Sequence, residues 1–97
     1  MLRVAHVIQS VDDRSGGTSS AFLEVMASLA AQPDLAPVAY TTRPADTDAA
    51  AAAIRACPER WCLADSVGRT LAAGALGRLL SADLARGGID VLHLHGL

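Results

Sequence analysis

Lysine is missing altogether from this 97-residue chain: its eight basic residues are all arginines, and against ten acids they leave a net charge of -2. The arginines are scattered rather than gathered into a stripe, which excludes the basic footprint of a nucleic-acid binder. Aromatics are almost as scarce, at 3%, in a chain that is 52% hydrophobic. The core must therefore be built from Ala, Val, Leu and Ile, a composition that suits helices packed on a parallel sheet. There are two cysteines, Cys57 and Cys62. They lack the CxxC spacing, and no second Cys/His pair follows at zinc-finger distance, so they read as idle thiols rather than a disulfide or metal pair. No apolar run reaches the roughly 18 uninterrupted residues of a membrane helix, because Asp and Arg interrupt the alanine-rich parts. The opening MLRVAHVIQSV carries one Arg and a short apolar stretch broken by His6 and Gln9, with no small-residue cleavage site behind it. It reads as a strand rather than a signal peptide, and a soluble, cytoplasmic protein is expected. The length fits one small domain or a piece of one.

What is present alternates. Residues 2 to 9 form a nearly continuous apolar run with β-branched Val4, Val7 and Ile8, the pattern of a parallel strand covered on both faces. From Thr18 to Ala31 the period changes, and Ala21, Phe22, Val25, Met26, Leu29 and Ala30 fall on one helical face. The helix breaks at Pro33. A second strand is expected in PVAYTT, ending at the turn cluster RPADTD. AAAAAIRA has high helix propensity but only Ile54 as a large anchor, which predicts a marginal helix or a mobile surface segment. RWCLA predicts a short third strand. Asp65 or Ser66 can cap a further helix carrying Leu71, Ala75, Leu76, Leu79, Leu80 and Leu84, which Gly87 and Gly88 stop. IDVLHLHGL predicts a fourth strand of the same buried kind as the first.

Strand and helix in alternation predict an α/β fold, a Rossmann-like parallel sheet of strand order 3-2-1-4 flanked by helices. Ligands of such sheets bind beyond the carboxyl ends of the strands where the order reverses, here between the first and fourth strands. The segment SVDDRSGGTSS and the tail HLHGL should meet there. A segment that feeds a helix N-terminus offers free amides and the positive end of the helix dipole to an anion. Gly16 and Gly17 would let a phosphate approach closely, with Thr18, Ser19 or Ser20 capping the helix or donating to the ligand; a plain tight turn explains the same residues equally well. His93 and His95 share a face of the fourth strand. A metal pair is the sharper reading, but no carboxylate or third His is seen to accompany it, so no metal is assigned, and His93, like His6, reads as a satisfied core histidine. His95, at the strand terminus, is the better ligand contact.

RVAHVIQSVDDRSGGTSSAFLEVMASLA, together with the closing IDVLHLHGL, resembles the opening of glycosyltransferase family 4 enzymes of the GT-B fold. The resemblance covers both ends of the chain and the middle only by its pattern of elements. It implies an incomplete N-terminal, acceptor-side domain, residues 1–97, of an enzyme that moves a sugar from a nucleotide diphosphate sugar to an acceptor with retention of configuration. By the same resemblance Gly16, Gly17 and Thr18 face the donor diphosphate, His95 and Gly96 line the acceptor side, and no cofactor or metal is required. The family's donor domain with its paired glutamates is absent, and its commonly functional histidine after a fifth strand would lie beyond Leu97, so the chain alone should transfer no sugar. The alternative is a standalone Rossmann-like or flavodoxin-like module that binds a small anion or associates with itself. A dinucleotide ligand is disfavoured, because the acidic residue expected after the second strand is represented only by Asp46, behind a proline. The apolar fourth strand, if left at an edge, predicts homo-oligomers.

Overall fold

A computed structural model describes residues 2–8, 11, 17–44, 49–64 and 75–95, with the backbone alone at Gly17–Ser19 and Ala75. The elements run β1 (Leu2–Ile8), α1 (Gly17–Ala30), β2 (Leu35–Thr42), α2 (Ala49–Ala56), a 3-10 turn (Pro58–Arg60), β3 (Trp61–Ala64), α3 (Ala75–Ala85) and β4 (Val91–His95). The four strands form one sheet in the order β3-β2-β1-β4, and every pairing is parallel. The expected α/β architecture and strand order are therefore present.

Each face of the sheet carries its own apolar cluster, as the period of two along a strand requires. On one face Ile8 and Ala39 meet Phe22 and Met26 of α1, Ala50 of α2 and Val11, with Leu23 and Trp61 packed against them. On the other, Ala5, Val7, Tyr40 and Ala64 meet Leu76 of α3, flanked by Leu79, Leu80 and Ile89. The buried stripe of α1 is narrower than its spacing predicts. Phe22 and Met26 are buried, but Ala21 and Val25 face solvent, and Leu23 takes their place against the core. The alanine-rich segment is a helix because it packs: Ala50 and Ala51 are buried, small enough to bring α2 close to the sheet without a large anchor.

On the α3 side the Tyr40 hydroxyl donates to Asp83 Oδ2 at 2.7 Å, and Arg86 pairs with the same carboxylate. Burial, and then the neighbouring Cys62 thiol, push the Tyr40 phenol up to about 12 against an opposing pull from Arg86. The helix ends in a Schellman turn. Gly88 N–H reaches the Asp83 carbonyl at 3.2 Å and Gly87 N–H the Leu84 carbonyl at 3.1 Å, while Gly87 adopts φ +71, a conformation that suits glycine.

β4 corrects one expectation. It is not buried like β1: Val91, Leu92 and Leu94 are 45%, 41% and 49% exposed, because among the described residues β4 pairs only with β1 and no helix covers its outer side. The proposed cap residues Asp65 and Ser66, together with Leu71, lie outside the described residues, as does Asp46.

Candidate functional site: a histidine cluster at the β1–β4 seam

The reversal of strand order falls between β1 and β4, which pair from Val4 opposite Val91 to Ile8 opposite His95. His6 lies opposite His93 in this register. Residues directly opposite on parallel neighbours share a face, as do residues two apart on one strand, so His6, His93 and His95 all project to the α1 side. Neither His93 nor His95 is near His6 in sequence; strand adjacency alone unites them.

The three rings are in contact. His93 and His95 stack with centroids 3.9 Å apart and planes 29° from parallel. His6 tilts against both, at 5.4 Å from His93 and 5.2 Å from His95. His6 Nδ1 lies 3.0 Å from His95 Nε2. From α1, Phe22 presents its ring edge-to-face to His95, with centroids 5.0 Å apart and planes at 87°. The first two turns of α1 thus close over the carboxyl end of the seam, five residues beyond Gly17, the first helical residue.

Burial grades across the cluster: His6 is 3% exposed, His95 half-buried and His93 exposed. Burial first, then the neighbouring His95 and His93, push the His6 imidazole down to about 4. The same two causes, burial and then His93, lower His95. Both rings are therefore neutral at pH 7, and one proton serves the 3.0 Å contact between them. The other nitrogen of His6, Nε2, is buried and meets no hydrogen-bond partner among the described residues. An unpaired imidazole nitrogen in that position costs about 1–3 kcal/mol.

Two readings of these residues need correction. His93 is not a core histidine, because β4 is an edge strand and leaves it exposed. The pair on β4 does not stand alone either. His6 completes a set in which one ring nitrogen from each histidine lies within 4.8 Å of the others. The signal that could have found it is the expected adjacency of strands one and four, combined with one histidine in each apolar run.

Of the residues assigned to the donor side, Gly17 opens α1 and Thr18 follows it in the helix backbone, whereas Gly16 lies outside the described residues. On the acceptor side His95 ends β4 and Gly96 lies outside the described residues. A concavity of about 340 Å³ opens between α1, α2 and the start of β3, lined by apolar groups including Leu23, Met26, Ala53 and Trp61. It carries no cluster of polar groups.

No family model, no curated protein and no solved structure matches the chain. Among the described residues no helix is long and apolar enough to cross a membrane.

Proposed function

We propose that the chain is the acceptor-side, Rossmann-like part of a retaining glycosyltransferase of GT-B architecture, which uses a nucleotide diphosphate sugar and is inactive without its donor domain. One observation carries the reading: β1 and β4 are parallel neighbours, with His95 at the carboxyl end of the seam and α1 lying over it. That arrangement puts the two stretches behind the resemblance, residues 3–30 with β1 and α1 and residues 89–97 with β4, on neighbouring elements. Ligands of open parallel sheets bind at such a position.

In this reading Gly16, Gly17 and Thr18 face the donor diphosphate, where the amides and dipole of α1 favour the negative charge that grows as the sugar leaves. His95 and Gly96 line the acceptor side. The His95 ring already engages His6 through Nε2, which leaves Nδ1 for a sugar hydroxyl, and its lowered affinity for protons keeps it neutral there. The nucleotide and the sugar would be selected by the donor domain.

The experiment is to read the coding sequence beyond the Leu97 codon. Continuation through a fifth strand with another histidine, then a second Rossmann-like domain with paired glutamates, supports the assignment. A stop codon directly after Leu97 overturns it.

A further inference from the structure

We infer that His6, His93 and His95 form a binding site for one divalent transition-metal ion of the borderline kind, with Zn2+ as the reference occupant. The geometry comes first. One ring nitrogen from each residue lies within 4.8 Å of the other two, and His6 Nδ1 and His95 Nε2 are already 3.0 Å apart. Zinc–imidazole bonds of about 2.0–2.1 Å in tetrahedral geometry set ligand nitrogens about 3.4 Å apart. The exposed His93 ring, which stacks on His95, would have to turn out of the stack for its lone pair to point at the same ion.

The setting of His6 suits a ligand. The residue is 3% exposed, and β1 holds its ring against both His93 and His95. Coordination through Nδ1, the nitrogen that faces His95, would place the His6 proton on Nε2, which finds no partner among the described residues, so the ion would answer the Nδ1 side of the ring only.

Donor chemistry selects the ion. Three imidazole nitrogens suit Zn2+, Co2+, Ni2+ or Cu2+, whereas Mg2+ and Ca2+ require oxygen ligands that the cluster does not offer. Three protein ligands leave a fourth tetrahedral position for water. Phe22, edge-on to His95, would form an apolar wall on one side and restrict ring rotation. The site overlaps the proposed acceptor side at His95 only. It adds His93, to which the sugar-transfer reading gives no role, and its test is independent of any sequence beyond Leu97.

The test uses the 97-residue chain without a histidine tag, stripped with a chelator and titrated with Zn2+ by calorimetry and with Co2+ by visible absorption. The expected result is one ion per chain and a tetrahedral Co2+ spectrum with nitrogen ligands and no thiolate charge-transfer band. His93→Ala, which alters an exposed ring and leaves the core intact, is expected to weaken binding at least tenfold, about the least that loss of a ligand or its support costs. His6→Gln and His95→Gln should do the same. Absence of binding at about 100 μM Zn2+, an affinity unaffected by His93→Ala, or a thiolate band that moves the site to Cys57 and Cys62 would each overturn the inference.

Discussion

Tyr40 is the only tyrosine in the chain, so its ionisation can be followed without interference. Its side chain is 4% exposed, and its hydroxyl is committed to Asp83 Oδ2 at 2.7 Å. A phenolate there would lose that hydrogen bond and face a carboxylate. With burial acting first and the Cys62 thiol next, the phenol moves from 10.0 to about 12. An unfolded chain releases the proton near 10, so the folded state holds it longer. The stability this represents is complete below pH 10 and disappears as pH rises through 12. At 1.36 kcal/mol for each pH unit the full effect is on the order of 3 kcal/mol, of which about half is lost by about pH 11. The half-buried Cys62 thiol, raised above 9.0 by desolvation, pulls in the same direction, so the Tyr40 share is the difference between wild type and Tyr40→Phe in urea melts across this range. Tyrosinate absorbance of the folded chain should reach half its final value near pH 12. Half-ionisation near pH 10 with the fold intact, or parallel stability profiles for the two chains, would refute the reasoning.

Gly87→Ala places a Cβ in open space, so its cost is backbone strain alone, about 1–2 kcal/mol at φ +71; denaturant melts that coincide with wild type would contradict this. Phe22→Ala removes a side chain that is 2% exposed and touches both Trp61 and His95. A loss of about 3–5 kcal/mol is expected, with a red shift in the emission of the single tryptophan, and a loss below about 1 kcal/mol would show that α1 does not close the core. In chelator, acidification should destabilise the chain through His6, which faces His93 and His95 from β4. Its folded-state value of about 4 lies below the ordinary 6.5, so an unfolded ring takes up a proton that the folded one refuses. Stability is full above 6.5 and falls on the order of 3 kcal/mol toward pH 4. His6→Leu should remove this component from the urea midpoints, and an unchanged slope would sink it.

The sheet was legible because its signals are local and agree with one another. LRVAHVI, with its β-branched residues and no polar alternation, could only be a strand covered on both faces, and Pro33, Gly87 and Gly88 mark where helices stop. The ranges expected for α1 and the strands differ from the observed ones by a residue or two at most ends, the usual looseness of element boundaries. What could not be read locally was how fully each apolar stripe would find a neighbour. Val25 lies on the expected face of α1 and remains 37% exposed. The apolar residues of β4 are exposed because among the described residues that strand pairs only with β1. Hydrophobic pattern states which residues can be buried, whereas the partner element decides which of them are.

The histidine cluster lies at the far end of that scale, since it depends on register between strands nearly the whole chain apart. A slip of one residue between β1 and β4 would send His6 to the α3 side and dissolve the cluster. The register is fixed at the entrance to the pairing. Asp90 N–H donates to the Arg3 carbonyl at 2.8 Å, and Arg3 N–H donates back to Asp90 Oδ2, also at 2.8 Å. The Arg3 guanidinium reaches the same oxygen at 3.5 Å and the Gly87 carbonyl at 3.1 Å. Accepting the Arg3 backbone N–H, more than the ion pair, holds the Asp90 carboxyl below the usual carboxylate range. From this clamp the parallel ladder counts forward, Val4 to Val91 and His6 to His93. A carboxylate at the surface thus sets which residues meet in the interior. No motif scan links Asp90 to His6, because the connection runs through hydrogen-bond geometry rather than spacing.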